Sequence, residues 1–152
     1  MTEQTLIETT GPHRTEQTHE TTEGTRAVVA EFFRSLGAGE IEGALALLAE
    51  PLEWFTPGDV ELIPWMGARS TRAEVRDFFA QAGANLTAEE FVLAKVVADG
   101  ADAVALGRFR YRVDATGLAF SSPFAVELRV ADGRIVRYHM HEDSHAIALA
   151  FR

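Results

Sequence analysis

Cysteine is absent from the 152 residues, which excludes disulfides, thiolate catalysis and cysteine-bound metals and leaves no redox argument about compartment. No apolar run approaches the roughly twenty residues needed to span a bilayer, so no transmembrane helix is expected. Positive charge is scarce: 14 Lys and Arg face 23 Asp and Glu, for a formal net charge of -9. Nucleic-acid binding relies on clustered Lys and Arg, so no nucleic-acid partner is expected, and acidic surface disfavours an anionic membrane. The amino terminus lacks the basic start and apolar segment of a secretory signal, which makes the cytoplasm the expected location. Small neutral or apolar molecules and other proteins remain as partners.

Apolar residues make up 47% and charged residues 24% of the chain, a composition that supports a folded core. The length suits one domain and is too short for two. Residues Met1 to Gly24 are rich in Thr and Glu, carry two His, and have no aromatic residue. They cannot bury enough apolar area to offset chain entropy and read as a disordered tail before a domain over 25–152.

From Thr25 the pattern changes. Val29, Phe32, Phe33 and Leu36 recur at helical spacing, and Gly37 and Gly39 end that helix. A second short helix carries Ile41, Ala44, Leu45 and Leu48 on one face and stops at Pro51. Leu52 to Thr56 reads as a strand, and Val60 to Ala68 fits no regular period and reads as a covering loop. Thr71-Arg72-Ala73-Glu74 matches a capping box, followed by Val75, Phe78, Phe79 and Ala82 as the buried face of a helix. Four strands follow, over Phe91–Ala98, Val104–Val113, Phe120–Val130 and Arg134–Glu142, separated by Asp-Gly and Thr-Gly turns. Ala146 to Phe151 reads as a last helical turn. Helices first and a meander of long strands afterwards predict an α+β domain, a curved antiparallel sheet forming a cone with helices over its concave face.

The chain from about Thr25 onward resembles the SnoaL-like polyketide cyclases and ketosteroid-isomerase-related proteins, which share the cone-shaped fold of nuclear transport factor two. Three segments carry the resemblance: Leu52 to Asp59, Ile63-Pro64-Trp65-Met66-Gly67 with the capped helix bearing Phe78 and Phe79, and Asp132-Gly133-Arg134-Ile135 ending in Glu142-Asp143. The resemblance implies a deep apolar pocket between sheet and helices, chemistry without cofactor or metal, and a homodimer formed through the outer sheet face. Asp143 matches the aspartate that closes the last strand in this family, compared in the cyclases with an acid/base. Thr56 stands where a steroid isomerase carries its proton-abstracting aspartate. Met140 stands where a limonene-type epoxide hydrolase carries an aspartate, and Arg108, Arg110 and Arg112 supply no Arg-x-Asp pair. Both mechanisms are disfavoured.

Candidate chemistry concentrates between Asp132 and Asp143. Alternation sends His139, His141 and Asp143 to one face of the last strand and Tyr138, Met140 and Glu142 to the other. With the first face inward, Asp143 and His141 are the acid/base pair and His139 lines the site. With the second inward, Glu142 is the acid/base and Tyr138 donates a hydrogen bond to a substrate oxygen. Two imidazoles and a carboxylate on one face also spell a zinc or iron site, but no further ligand set is evident, and no metal is expected. Trp54, Trp65, Phe109, Tyr111 and Phe124 are the candidate apolar lining, with Asp59 at the expected pocket mouth. The three arginines are expected to be solvated or to pair with acidic residues across the sheet or a dimer interface.

The expected function is a small cofactor-independent isomerase, cyclase or lyase acting by acid/base chemistry on an apolar carbonyl compound of polyketide, steroid or terpenoid type. The alternative is a non-catalytic small-molecule-binding or dimerisation module of the same fold.

Overall fold

The computed structural model of the protein describes residues 20–152. Of the expected tail, residues 1–19 lie outside the described residues. Helix α1 (Thr22–Gly37) begins ahead of the expected domain start at Thr25. The Thr21 side chain caps it by accepting from the Gly24 amide. Two threonines then clamp α1 to the turn at Gly100: the Gly100 amide donates to Thr22 Oγ1 at 2.9 Å, and Thr25 Oγ1 donates to the Gly100 carbonyl at 2.6 Å. Apolar periodicity could not register this first turn, because its anchors are polar.

Helix α2 (Ile41–Ala46) is shorter than expected. Leu48, assigned from the sequence to its buried face, instead opens strand β1 (Leu48–Thr56). Pro51 therefore lies inside a strand, preceded by a cis peptide bond, where the pairing of β1 with the last strand shifts register. A proline is tolerated there because no ladder donor is required of it. Strand β2 (Gly67–Arg69) lies at the end of the expected loop. Helix α3 (Arg72–Asn85) starts at the expected capping box, with the Glu74 amide donating to Thr71 Oγ1 and the Thr71 hydroxyl donating to the Glu74 carboxylate.

Strands β3 (Leu86–Asp99), β4 (Asp102–Val113), β5 (Ala119–Ala131) and β6 (Arg134–Glu142) form the meander, and α4 (Ser144–Ala150) ends the chain. The sheet order is β2-β1-β6-β5-β4-β3. It is curved and antiparallel except for β1, which runs parallel to β6. β3 starts earlier than its apolar run because Glu89 and Glu90 lie on an exposed sheet edge, where they pair with Arg110, Arg112 and Arg108 across β4. These are the expected partners of the three arginines.

The concave face carries the core. Ala103, Ala105, Phe109 and Val113 of β4, Phe120, Phe124, Val126, Leu128 and Val130 of β5, and Ile135, Tyr138 and Met140 of β6 are all buried. Helix α1 lays Val29, Phe32 and Phe33 against them, and α3 brings Phe78 and Phe79 against Trp54 at 5.6 and 5.8 Å. Apolar burial of this kind contributes about 25 cal/mol per Å² and is the main force holding helices to sheet. No helix among the described residues is long and apolar enough to cross a membrane.

Candidate active site

The antiparallel ladder between β5 and β6 fixes which face of the last strand looks inward. Leu128, Val126 and Phe124, all in the core stripe of β5, stand opposite Tyr138, Met140 and Glu142. Residues paired across a ladder share a face. Tyr138, Met140 and Glu142 therefore enter the interior, while His139 lies opposite the exposed Glu127 on the outer face.

The interior surrounding Glu142 is aromatic. Phe124 stacks on Phe109 at 5.8 Å, and Phe109 continues to Tyr111 at 5.4 Å. Tyr138 stacks flat on Trp54, 3.8 Å between centroids and 5° from parallel. Phe91, at 38% exposure, stacks on Phe124 at 5.4 Å and carries this wall out to solvent. A carboxylate here loses hydration without gaining a cation, so burial pushes the Glu142 carboxyl up to about 7. Burial and then the charge of Glu142 raise Tyr111, and burial, Glu142 and Tyr111 raise Tyr138 further. Both phenols remain protonated donors at neutral pH.

Three polar atoms on this face are sealed from solvent without a hydrogen-bond partner among the described residues: Glu142 Oε1, Trp54 Nε1 and Thr56 Oγ1. Trp54 pairs with Tyr138 and Phe55 with His139, so Thr56 lies one residue further, level with Met140. That is one inward step, about 7 Å, from Glu142 along the strand. Each orphaned polar group costs roughly 1–3 kcal/mol, which protein interiors seldom tolerate without a use. The three atoms are two donors and an acceptor left unpaired among the described residues in an otherwise apolar interior.

The remaining sequence candidates fall elsewhere. Asp143 does not enter the interior: its side chain accepts from the Ala146 amide at 3.0 Å and caps α4. Its own amide donates to Ser122 Oγ at 2.9 Å, which pins the end of β6 and fixes the turn after Glu142. His141 and His139 stack on each other on the outer face, 4.7 Å apart. Asp59 is exposed and accepts from the Glu61 and Leu62 amides, as an ordinary turn residue does. Trp65 is buried against Phe151 at 5.6 Å and ties the loop after β1 to the end of the chain. Phe109, Tyr111, Phe124 and Trp54 belong to the aromatic wall. Ser122 and Thr56 were not singled out from the sequence as site residues. The available signal was a lone hydroxyl on an inward stripe of large apolar residues.

Two surface cavities, about 350 and 470 Å³, lie beside β1, and neither is lined by Glu142, Met140 or Tyr111. The first reaches the backs of Trp54 and Tyr138 from the sheet edge, between Arg69 and Arg137. The raised carboxyl of Glu142 and the unpaired hydroxyl of Thr56 lie on the inward face of the sheet and line neither cavity.

No curated protein matches this chain. Among solved structures, an NTF2-like protein from Burkholderia xenovorans LB400 is similar at 24% identity and a TM-score of 0.76, over 87% of this chain and 98% of that one. TerC, co-crystallised with polyporic acid, is similar at 17% identity and a TM-score of 0.74, over 84% and 98%. A candidate polyketide cyclase from Xanthomonas campestris pv. campestris is similar at 16% identity and a TM-score of 0.70, over 86% and 98%. These likenesses establish the cone-shaped NTF2-like fold. The model of the SnoaL-like domain matches residues 29–138, most of the folded chain, and the protein belongs to that family.

Proposed function

We propose that the protein is a cofactor-independent acid/base enzyme that moves a proton next to the carbonyl of an apolar compound, with Glu142 as the proton carrier. The observation that carries this reading is a carboxyl group raised to about 7 in an aromatic interior, with an orphaned oxygen. Near neutral pH such a group is present in both forms, the condition under which one residue can take a proton and return it. Ionised Glu142 removes a proton from the carbon beside the carbonyl, and the electron pair moves to the carbonyl oxygen as an enolate. The protonated phenols of Tyr138 and Tyr111, with the indole N–H of Trp54 and the hydroxyl of Thr56, are the donors available to hold that oxygen. Protonated Glu142 then returns the proton to a carbon of the conjugated system, which isomerises the substrate. Where the enolate carbon instead attacks a second carbonyl of the same molecule, the new carbon–carbon bond closes the ring and Glu142 gives its proton to the resulting alkoxide.

The aromatic wall suits flat, multiring or terpenoid ligands, and the similarity of the fold to TerC and to a candidate polyketide cyclase supports that class. The test uses proton exchange, so the physiological substrate need not be known. A panel of bulky polycyclic and terpenoid ketones is incubated in deuterated buffer, and loss of the protons next to the carbonyl is followed by NMR. The proposal expects exchange above the buffer rate with the natural protein and its loss in Glu142→Gln. Tight binding of these ketones without exchange in either protein would replace the enzyme by a non-catalytic ligand-binding module.

A further inference from the structure

The outer face of the sheet, directly behind the proposed site, brings two imidazoles and a carboxylate together. His139 and His141 project from β6 at alternate positions, the spacing at which a strand presents two side chains to one side. Glu127 stands opposite His139 on β5. One ligand atom from each of the three lies within 4.8 Å of the others. The Glu127 carboxylate is divided between neighbours: Oε1 lies 3.5 Å from the Arg137 guanidinium and Oε2 lies 3.7 Å from His141 Nε2. The His139 ring packs on Phe55 at 4.9 Å and stacks on His141 within 2° of parallel. Neither imidazole has a hydrogen bond among the described residues; ring packing holds both, and His141 also has the Glu127 carboxylate beside it.

We propose that Glu127, His139 and His141 form a divalent transition-metal site of the zinc class on this outer face. Imidazole nitrogen and carboxylate oxygen are the ligand types that zinc takes in sites with an open position, with bonds of about 2.0–2.2 Å. Ligand atoms around such an ion stand about 3.4 Å apart in a tetrahedron, so small side-chain rotations close the present spacing. Two neutral imidazoles and one carboxylate carry a single negative charge. Arg137, itself 3.4 Å from Glu53, orients the carboxylate from its far oxygen in the manner of an outer-shell partner. Asp143, the carboxylate that the sequence places beside these histidines, is occupied in capping α4. The third ligand comes from the neighbouring strand, which explains why the sequence argued against a metal. A bound ion would staple β5 to β6 behind Tyr138 and Met140.

The test is a titration of the full, tag-free chain, stripped by chelator, with Zn²⁺ by calorimetry and with Co²⁺ by its visible absorption. Expected are one ion per chain, a Co²⁺ spectrum of low coordination number, and a melting temperature that rises with added Zn²⁺. His139→Gln with His141→Gln abolishes binding. Glu127→Gln weakens it by at least the roughly 10- to 100-fold that loss of an outer-shell partner costs. His13→Gln with His19→Gln, His145→Gln and Glu142→Gln each leave binding unchanged, the last separating this site from the proposed acid/base chemistry. Circular dichroism confirms that each variant is folded. No binding by the natural chain, binding that survives the loss of His139 and His141, or binding that disappears with His13 and His19 would overturn the proposal.

Discussion

Glu142 and Asp143 are adjacent on the chain and do opposite things: Glu142 closes β6 facing inward opposite Phe124, while Asp143 turns its carboxylate onto the first turn of α4. One has a buried oxygen with no partner among the described residues, and the other is exposed and caps the helix through one oxygen. The division of labour follows from strand alternation, enforced by the hydrogen bond from the Asp143 amide to Ser122 Oγ.

Replacing these two residues should therefore separate activity from stability. Glu142→Gln is expected to lower ketone proton exchange by roughly 10²- to 10⁴-fold, the usual contribution of a positioned acid/base. Asp143→Ala is expected to leave exchange unchanged and to cost about 1 kcal/mol, the loss of a helix cap. Urea unfolding monitored alongside exchange checks both. In the natural protein the exchange rate should rise with pH and level off above about 7, as Glu142 ionises.

Stability should carry the same signature. A carboxyl raised from its ordinary value of 4.5 to about 7 binds its proton more tightly folded than unfolded. Its stabilising contribution is complete below about 4.5 and is lost as pH rises through about 7. The gap between Glu142→Gln and the natural protein should then move in favour of the variant by up to about 3 kcal/mol between pH 5 and pH 8, at about 1.4 kcal/mol per pKa unit. Denaturant midpoints measured at both pH values give this difference directly.

Thr56 offers a trade between fold and function. Its hydroxyl is buried without a partner among the described residues, so Thr56→Val keeps the shape and removes an unsatisfied group. Stability is expected to rise by about 1 kcal/mol, while ketone binding weakens. Thermal unfolding and binding titration test the two halves.

Gly107 is required by space. A Cβ there would overlap the Val92 carbonyl oxygen and lie 2.5 Å from the Phe124 ring. Gly107→Ala must relieve both contacts, with the β3 backbone and with the ring opposite Glu142, and a loss of about 3 kcal/mol is expected, at the upper end of overpacking costs. Chemical denaturation checks the magnitude.

Much of this architecture is legible in the sequence because its elements announce themselves locally. The Thr71 to Glu74 capping box, the Asp-Gly turns and the alternation of β5 each specify one structure. What escaped detection depended on tertiary context. Leu48 has helical spacing from Ala44 yet joins β1, and Thr87, Glu89 and Glu90 extend β3 with polar residues that a solvated edge strand accepts. The direction of β6 was undecidable from β6 alone, since both of its faces carry titratable residues. It is settled by Leu128, Val126 and Phe124 across the ladder. Glu127 could not be grouped with His139 and His141 before the β5–β6 register was known.

The proposed role of Glu142 is tested by titrating its carboxyl, by carbon NMR of glutamate labelled at the side-chain carboxyl and assigned by comparison with Glu142→Gln. One carboxyl titrating at about 7 that disappears in the variant is expected. A Glu142 resonance titrating at the ordinary value of 4.5 would contradict that role.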